Sequence, residues 1–427
     1  MRVFVKSYGC STNLSEGAVL AGCLARAGYE LVDSVSSAEV VVLNTCAVKG
    51  PTENRMIEIS KRIASGKRLV VAGCLPLINF GRLQKEVSFA GIVGPGAGER
   101  IVEVVRRVSN GERVVSIEEA PGLPDLNLPR VQSNPVTSTV PVSCGCLGSC
   151  AYCCVVFARG RLRSYRVQDI VERVKRDLAS GLREIWITSQ DTACYGKDYG
   201  SSLAELLHAL LGIDKDFRIR IGMMTPNNAK NIRMGLVKAF QDKRIFKFIH
   251  LPVQSGDDDV LKRMRRFYGV DDFRAFVSSF RARFPDMTLA TDVICGFPGE
   301  SEEAFERTLR LMKEVRPDIV NVSKFFVRPK TAAAKMEKDF VPSSEIKRRS
   351  VRACALAKRL SLENNLRWVG WTGEILVDEV GKVPGSWVGR NFAYKPVAVK
   401  NASRLIGKVR NVEVVKAFPT YLAGEVV

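Results

Sequence analysis

The chain has 427 residues, 46% of them hydrophobic and 26% charged, which predicts an ordinary soluble fold with room for two or three domains. It has no apolar run long enough to span a membrane, no signal-peptide pattern and twelve cysteines. These features favour a cytoplasmic protein with metal chemistry rather than disulfides. The net charge of +20 favours a polyanionic partner, with nucleic acid as the first candidate and a merely basic soluble protein as the alternative.

The N-terminal part of the chain alternates strand-like and helix-like patterns. The predicted strands are Arg2–Lys6, Glu39–Asn44 and Arg68–Ala72. The helical patterns that follow them are Leu14–Ala27, Thr52–Ala64 and Leu75–Lys85. Short apolar strands that alternate with helices predict a parallel α/β sheet.

One cysteine follows each of these strands: Cys10, Cys46 and Cys74. Because parallel strands end at the same edge of a sheet, we expect the three thiols to meet there. Glycine precedes Cys10 and Cys74 and lets the backbone turn close to a ligand. Three buried structural cysteines are the alternative. The repeated placement favours an iron–sulfur cluster with one open iron, whereas Cys23, inside a helical pattern, is predicted to be core.

The segment Ile117–Val136 is rich in Pro, Asn and Ser, and we interpret it as a linker. Six predicted strands alternate with helices beyond it. They are Thr139–Ser143, Glu184–Thr188, Phe217–Gly222, Phe246–Leu251, Thr288–Ile294 and Ile319–Phe325. In barrels built from such units, active sites lie at the carboxyl ends of the strands.

Cys146, Cys150 and Cys153 follow the first of these strands with the spacing C-x3-C-x2-C. Three thiolates on one loop can hold three irons of a 4Fe–4S cluster and leave the fourth iron open to a small molecule. A C-x-x-C pair alone would more often indicate zinc or a redox dithiol. The spacing, Tyr152 before the last cysteine and the lack of a nearby histidine favour iron–sulfur.

This loop closely resembles the signature of the radical S-adenosylmethionine (SAM) enzymes. The resemblance implies that SAM binds the open iron and that one-electron reduction splits it to give a radical. The six strand–helix units fit the partial six-stranded barrel of those enzymes.

Polar residues follow five other predicted strands. Five polar strand ends in register with the cysteine strand are better explained as the rim of a cavity than as separate loop residues or helix caps. The candidate cofactor-binding residues among them are Gln190, Asp191, His250, Gln254, Asp292 and Arg328. We expect His250 to lie near SAM or the substrate, and His208, in an apolar helical pattern, to be structural.

Basic residues form three groups in this part of the chain. The groups are Arg159, Arg161, Arg163 and Arg166; Lys262, Arg263, Arg265 and Arg266; and Lys347, Arg348, Arg349 and Arg352. Solvated helix faces usually carry charges of both signs. The first group directly follows the cysteine loop and is the best candidate for phosphate contacts beside the active site.

After a helix near Lys347–Leu366, the chain changes to short β-like runs that predict a small β-barrel. The runs are Gly373–Val380, Trp387–Arg390, Tyr394–Lys400 and Gly407–Phe418. Basic residues, Lys395 among them, are interleaved with Trp387, Phe392 and Tyr394. Small basic barrels with exposed aromatic residues often bind RNA. The unit resembles the TRAM domain of RNA-modifying enzymes.

The N-terminal motifs resemble those of the radical-SAM methylthiotransferases. They are Tyr-Gly-Cys10-Ser-Thr-Asn, Asn-Thr-Cys46-Ala-Val-Lys-Gly-Pro-Thr-Glu and Ala-Gly-Cys74. Trp186-Ile-Thr-Ser-Gln-Asp-Thr192 and His250-Leu-Pro-Val-Gln-Ser-Gly256 resemble the same family, which usually has glycine where this chain has Lys330. Cys144, Cys154 and Cys295 are additional to the pattern. The resemblance implies that Cys10, Cys46 and Cys74 carry an auxiliary 4Fe–4S cluster. One SAM would methylate sulfur held there, and a second SAM would supply the radical at the cluster of Cys146, Cys150 and Cys153.

Within that family the motifs look most like the archaeal and eukaryotic branch, which methylthiolates C2 of N6-threonylcarbamoyladenosine at position 37 of tRNA. N6-isopentenyladenosine in tRNA and an aspartate of a ribosomal protein are alternative substrates. A non-enzymatic iron–sulfur RNA-binding protein, or a radical-SAM enzyme that inserts another group, are alternative functions. The implied partners are the tRNA anticodon stem-loop, an electron donor and a sulfur source, with no membrane.

The predicted organisation is therefore an α/β protein in three parts joined by one linker. An N-terminal methylthiotransferase domain covers residues 1–117, and the linker covers residues 118–132. A radical-SAM domain covers residues 133–366, and a TRAM-like RNA-binding domain covers residues 367–427.

Overall fold

The computed structural model describes residues 1–47, 50–117, 122–401 and 403–427. Val48 and Lys49 of the Cys46 motif and residues 118–121 of the predicted linker lie outside the described residues. The N-terminal strands are β1 (Arg2–Ser7), β2 (Glu30–Leu31), β3 (Val40–Thr45), β4 (Arg68–Gly73), β5 (Gly91–Val93) and β6 (Val114–Ser116). The helices between them are α1 (Ser11–Arg26), α2 (Gly50–Ala64), α3 (Leu75–Ile78), α4 (Phe80–Glu86) and α5 (Arg100–Ser109).

These six strands form one parallel sheet in the order β2-β1-β3-β4-β5-β6. The parallel sheet and its strands β1, β3 and β4 were predicted from the sequence, whereas β2, β5 and β6 were not. Alternate residues of β3 point to opposite faces of the sheet. Val40 and Val42 pack with α1 and α5, while Val41 and Leu43 pack with α2, α3 and α4. Both faces of the central strands are therefore buried, which explains their continuous apolar sequence.

The helix predicted over Leu75–Lys85 is divided at Asn79, which leaves the helical conformation with φ −145°. Asn79 Nδ2 donates to the buried Glu53 Oε1 at 2.9 Å. We infer that this bond competes with continued helix formation, because Asn favours local side-chain hydrogen bonds over helix interiors.

The middle unit contains the six predicted strands and two short additional ones. Its strands are β7 (Thr137–Pro141), β8 (Ser143–Cys144), β9 (Arg163–Ser164), β10 (Glu184–Thr188), β11 (Arg218–Ile221), β12 (Phe248–His250), β13 (Thr288–Cys295) and β14 (Ile319–Lys324). Its helices are α6 (Val155–Arg159), α7 (Val167–Ala179), α8 (Leu203–Leu211), α9 (Pro226–Ala229), α10 (Arg233–Ala239), α11 (Asp258–Arg263), α12 (Val270–Arg283), α13 (Glu302–Val315) and α14 (Ser343–Leu366). Short 3-10 helices cover Thr192–Cys194, Lys230–Ile232, Ala332–Lys335 and Glu337–Asp339.

The partial barrel is made of two three-stranded parallel sheets, β11-β10-β7 and β12-β13-β14. A single bridge between Ile219 and Ile245, and a bond from the Met224 amide to the His250 carbonyl at 2.9 Å, join the two halves. This weak junction explains why β12 is only three residues long, although its sequence predicts six. Strands β8 and β9 pair antiparallel and bracket the loop that carries Cys146, Cys150 and Cys153.

The described part of the predicted linker, residues 122–132, is packed against both domains. Leu126 is buried in the core of the partial barrel, and Leu128 packs against the core of the N-terminal sheet. Arg130 pairs with Asp177 of α7 at 2.9 Å, and the Tyr165 hydroxyl donates to the Pro124 carbonyl at 2.6 Å. This Pro-rich segment is therefore packed against both domains and is not a flexible linker.

The C-terminal unit is a closed barrel in the order β15-β16-β17-β19-β18. Its strands are β15 (Thr372–Val380), β16 (Ser386–Arg390), β17 (Pro396–Lys400), β18 (Val409–Ala417) and β19 (Leu422–Val426). The sequence predicted the barrel but not β19, whose five residues pair with both β17 and β18. Among the described residues, no helix combines the length and apolar character needed to cross a bilayer.

The junction between the two barrels buries charged and aromatic groups together. Tyr394, predicted to be exposed for RNA stacking, is instead packed between Phe246 and Phe248 with the Arg220 guanidinium beside it. Lys395 is also buried and pairs with Asp318 at 2.7 Å. Both residues hold the small barrel against the partial barrel, so they are unavailable to RNA.

Glu184 lies in this junction, and its environment predicts a pH-dependent stability. Burial and the nearby Asp378 raise the pKa of Glu184 to about 7. The folded state therefore keeps a proton between about pH 4.5 and 7 that the unfolded state has lost, so stability falls as pH rises through this window. We expect the free energy of unfolding of Glu184→Gln to exceed that of the wild type by an amount that grows from pH 5 to pH 8, where it is on the order of 3 kcal/mol. Urea unfolding of both proteins at pH 5 and pH 8 measures this difference. A difference between variant and wild type that is the same at both pH values would contradict the prediction.

Candidate functional site: two cysteine triads

The central triad lies on the loop between β8 and α6. Cys146, Cys150 and Cys153 line one cavity of about 570 Å³. The amide of Gly148 donates to Cys146 Sγ at 3.2 Å. A methyl group added at Gly148 would lie 3.3 Å from Cys146 Sγ and 3.7 Å from Cys150 Sγ. Two thiols of the triad therefore flank Gly148, where a larger residue would crowd them.

A buried cation supports the second cysteine of this triad. The Arg266 guanidinium, 8% exposed, donates to Cys150 Sγ at 3.2 Å. Tyr268 Oη accepts from Arg266 Nε at 3.0 Å, and the Pro252 carbonyl accepts from Nη2 at 3.3 Å. A hydrogen bond from a fixed guanidinium stabilises negative charge on sulfur, as a thiolate ligand requires.

Cys194 is a further thiol at this site that the sequence reasoning missed. It is fully buried in the short helix after β10, and its thiol donates to the Asp191 carbonyl at 3.0 Å. A hydrogen bond with Cys194 lowers the pKa of the Cys146 thiol, and the Gly148 amide acts in the same direction. Gln190 and Asp191 were selected because polar residues just after a barrel strand line the active site. Cys194 lies three residues beyond Asp191 and would have been selected if that search had covered a longer stretch after the strand.

The N-terminal triad lies at the carboxyl ends of β1, β3 and β4, which are neighbours in the sheet. Gly9 has φ +119°, and a methyl group there would lie 2.5 Å from Cys46 Cβ, so only glycine lets the Cys10 turn approach Cys46 this closely. Gly73, before Cys74, also has a positive φ of 90°. Both glycines therefore have the turning role that the sequence predicted.

Asn13 fixes the turns around this triad. Its Nδ2 donates to the carbonyls of Tyr8 at 3.0 Å and Thr45 at 2.8 Å, which precede Cys10 and Cys46. Its Oδ1 accepts from the Cys74 thiol at 3.7 Å. Asn13 thus contacts all three cysteine segments, although its place in the Tyr-Gly-Cys-Ser-Thr-Asn motif alone does not reveal this role.

Both triads contain a thiol that burial keeps protonated in the metal-free protein. Burial raises the pKa of Cys74 to about 12, and burial together with Cys150 raises the pKa of Cys153 to about 12. A bound metal replaces the thiol proton and supplies the compensating positive charge. The two donor sets therefore suit metal binding better than reactivity as free thiols.

Across the described ranges, with their gaps at 48–49, 118–121 and 402, no three His, Cys, Asp or Glu side chains form a group that could hold one metal ion. A zinc site requires its ligands to converge on a single ion. A 4Fe–4S cluster contacts each thiolate through a different iron, so its ligands stay further apart.

Three family models match separate parts of the chain. The Radical SAM superfamily matches residues 140–312, the Uncharacterized protein family UPF0004 matches residues 2–94 and the TRAM domain matches residues 367–427. A protein of Pyrococcus abyssi named probable threonylcarbamoyladenosine tRNA methylthiotransferase is 40% identical over 100% of this chain and 99% of its own length. The threonylcarbamoyladenosine tRNA methylthiotransferase of Drosophila melanogaster is 37% identical over 100% of this chain and 77% of the fly protein.

This chain belongs to the threonylcarbamoyladenosine tRNA methylthiotransferase family. Its fold resembles that of TsrM from Kitasatospora setae, a radical S-adenosylmethionine methyltransferase solved with tryptophan and a SAM analogue. The TM-score is 0.56 at 15% identity, over 94% of this chain and 80% of TsrM, and at that identity the likeness concerns the fold alone. The resemblance predicted from the motifs is therefore confirmed, and membership makes this chain a radical-SAM enzyme.

Four of the six candidate cofactor residues of this family member lie around the strand ends of the partial barrel. Gln190 Oε1 accepts from the Gly145 amide at 2.8 Å, so it fixes the start of the cysteine loop. His250 Nε2 lies 3.0 Å from Asp292 Oδ1, which also accepts from Asn321 Nδ2 at 2.7 Å. Gln254 is buried with φ 72° and pairs with Val293 of β13.

The other two candidates have structural partners. The Asp191 carboxylate is fully buried and accepts from the Thr225 amide at 3.0 Å and from Asn228 Nδ2 at 2.7 Å. Arg328, 3% exposed, pairs with the buried Glu53 of the N-terminal sheet at 2.5 Å. Both side chains are held by internal partners, and a role for either in cofactor binding stays a prediction. His208, expected to be structural, lies on the exposed face of α8.

Two of the three predicted basic groups, the first and the third, contain arginines that form ion pairs inside the protein. Arg159 is 1% exposed and pairs with Glu16 and Asn13 of the N-terminal sheet, which contradicts a phosphate-binding role. Of its group, Arg161 and Arg166 are exposed. The three arginines of the third group pair with glutamates: Arg348 and Arg352 pair with Glu302, while the buried Arg349 pairs with Glu300. The charge run there is a set of ion pairs rather than an RNA surface.

Proposed function

We propose that this chain adds a methylthio group to C2 of N6-threonylcarbamoyladenosine at position 37 of tRNA, using two 4Fe–4S clusters and SAM. The observation that carries the proposal is the presence of two separate cysteine triads. One lies at a parallel-sheet edge and the other lies in the cavity of a radical-SAM barrel. A C–H bond of an aromatic base is inert to acid–base chemistry, so its replacement calls for a radical source and a sulfur carrier in one protein.

Cys146, Cys150 and Cys153 are the residues that would hold the SAM-binding cluster. When bound, that cluster supplies one-electron cleavage of SAM at its open iron. The chain contributes hydrogen-bond donors to two of the cysteine sulfurs, from Gly148 to Cys146 and from Arg266 to Cys150. His250, oriented by Asp292, and Gln254 lie at the neighbouring strand ends, and we expect them to contact SAM or the substrate.

Cys10, Cys46 and Cys74 would hold the auxiliary cluster and, on it, the sulfur to be transferred. Arg159 connects the two sites, because it belongs to the helix that follows the central triad and its Nη2 donates to Asn13 Oδ1 at 2.7 Å. Asn13 in turn contacts the three segments of the N-terminal triad. This chain of contacts gives the two sites one fixed relative position.

The small C-terminal barrel supports an RNA substrate. Phe392 is 41% exposed and lies against Trp368 and Trp371, with ring centroids 5.7 and 6.3 Å away. An exposed aromatic residue on a basic barrel is a surface on which an unstacked base can pack. The named substrate of the relatives and the +20 charge favour tRNA over a ribosomal protein.

Arg266 yields a prediction about the central cluster. Arg266→Gln removes a cation and a hydrogen-bond donor from Cys150, so we expect the reduction potential of the central cluster to become more negative. Arg266→Lys keeps the charge and should shift the potential less. Potentiometric titration followed by EPR, with iron content measured in parallel, tests this. A potential unchanged in Arg266→Gln, at full iron content, would contradict the role.

The proposed function is tested with anaerobically reconstituted protein, SAM, sulfide, a low-potential reductant and an anticodon stem-loop that carries N6-threonylcarbamoyladenosine. Mass spectrometry of the digested RNA should show the 2-methylthio derivative of that nucleoside. A Cys146→Ala/Cys150→Ala/Cys153→Ala variant should form none. A product on the N6-isopentenyladenosine stem-loop, with none on the threonylcarbamoyl RNA, would replace the proposed substrate.

A further inference from the structure

The cavity over the central triad has an unbalanced positive lining. Its charged lining residues are Arg161, Arg265, Lys330 and Lys335, and no Asp or Glu lines it. In the part of the chain that the structure describes, none of these four side chains has an ion pair or hydrogen bond. By contrast, Arg348 and Arg352 of α14 are paired with glutamates. Four cations without internal partners around one cavity predict an anionic ligand.

Two of these cations are held in a strained backbone conformation. Lys330 has φ 64° and Arg265 has φ 56°, and they are two of five non-glycine residues with positive φ in the described chain. That conformation costs an L-residue about 1–2 kcal/mol. Such strain persists where the surroundings impose it, and it concentrates at functional sites. Glycine would relieve the strain at position 330, yet this chain carries a cation there.

SAM does not account for this charge. Its amino and carboxylate groups balance each other and its sulfonium is positive, so four cations repel it overall. The cluster that Cys146, Cys150 and Cys153 would hold is itself anionic, with a net charge of about −1, or about −2 when reduced, so it would offset only part of the four positive charges. The remaining charge points to an anion of the RNA. Two sources are available: a backbone phosphate, or the carboxylate of the threonyl group on the modified base. The base has to enter this cavity to approach the central triad, and its threonyl carboxylate then enters with it.

We propose that Lys330 and Arg265 bind the threonyl carboxylate of the substrate base, so that the chain selects its substrate by charge. The proposal rests on the proposed function and adds the residues that determine specificity. A guanidinium and an ammonium together can satisfy both carboxylate oxygens. Neither unmodified adenosine nor N6-isopentenyladenosine carries a negative charge on the base, so both would leave these cations without a partner.

The test compares three anticodon stem-loops of identical sequence that carry N6-threonylcarbamoyladenosine, adenosine or N6-isopentenyladenosine at position 37. Dissociation constants are measured with the reconstituted protein at fixed salt. We expect the wild type to bind the threonylcarbamoyl RNA about tenfold more tightly than the other two, which corresponds to one charge-assisted contact pair. Lys330→Met, which keeps the strained backbone, should lose most of this preference, and Lys330→Arg should retain it. Lys313→Met, an exposed lysine of α13 outside the cavity, should change neither the affinity nor the preference.

The outcomes distinguish a backbone phosphate from the threonyl carboxylate as the bound anion. They also distinguish failure of the carboxylate proposal from failure of the proposed function. An equal loss of affinity for all three RNAs in Lys330→Met would assign Lys330 to a phosphate and overturn the carboxylate proposal. No loss for any RNA would overturn it too. A wild type that modifies the threonylcarbamoyl RNA without binding it more tightly would overturn the selectivity and keep the proposed function. A wild type that forms product only on another RNA would overturn the proposed function itself.

Discussion

Replacing Cys10, Cys46 and Cys74 with alanine is expected to abolish methylthio transfer while reductive cleavage of SAM continues. The three thiols lie at one edge of the N-terminal sheet, on elements separate from the loop that carries the central triad. The variant therefore loses the proposed sulfur-carrying site and keeps the SAM-binding site. Mass spectrometry of one reaction mixture can measure 5′-deoxyadenosine and the methylthio nucleoside together.

Two comparisons make this prediction specific. Cys23→Ala changes a buried cysteine of α1 that packs in the sheet core outside both triads, and both products should persist. The Cys146→Ala/Cys150→Ala/Cys153→Ala variant should lose both products. If the N-terminal triple variant still formed the methylthio nucleoside, sulfur transfer would not depend on Cys10, Cys46 and Cys74, and their assignment as a second site would be wrong.

Replacing Arg159 with methionine is expected to destabilise the fold strongly. The Arg159 guanidinium makes two bonds to the Glu16 carboxylate, at 2.7 and 2.9 Å, and a third to Asn13 Oδ1. Methionine fills similar space but leaves a mostly buried carboxylate without its partner. Breaking such a pair costs about 3–5 kcal/mol. Equilibrium unfolding in urea measures the loss, and methylthio transfer should fall more than SAM cleavage because Asn13 loses its link to the central site.

Matched variants separate the ion pair from general damage at the domain junction. Arg159→Met/Glu16→Gln removes the unpaired charge and should recover part of the lost stability. Arg26→Met breaks the exposed ion pair with Glu99 and should change stability little. An Arg159→Met protein as stable as the wild type would show that this pair does not hold the two domains together.

Much of the architecture followed from the spacing of apolar residues. Three strands of the parallel sheet, β1, β3 and β4, and the six main strands of the partial barrel lie within a few residues of their predicted positions, because buried parallel strands are short, apolar and bounded by turns. The short strands β2, β5 and β6 were not predicted. The adjacency of Cys10, Cys46 and Cys74 followed from the rule that parallel strands end at one edge. β19 was missed because its central residues Ala423, Gly424 and Glu425 have low strand propensity.

The partners of buried charges could not be predicted from local sequence. Arg159 and Arg328 belong to the partial barrel, yet they pair with Glu16 and Glu53, more than a hundred residues earlier in the chain. A run of basic residues looks the same whether its charges face solvent, RNA or a distant glutamate. Only the packing of the two domains decides between these possibilities. The same reason explains why Tyr394 was predicted to be exposed and is buried at the junction of the barrels.

The presence of two clusters is tested most directly by the amount of iron and acid-labile sulfide per chain in three reconstituted proteins. These are the wild type and the two variants in which one complete cysteine triad is replaced by alanine. We expect about eight irons per wild-type chain and about four in each variant, since each triad would hold one 4Fe–4S cluster. About four irons in both the wild type and the N-terminal variant would rule out two clusters, because the edge of the N-terminal sheet would then hold none.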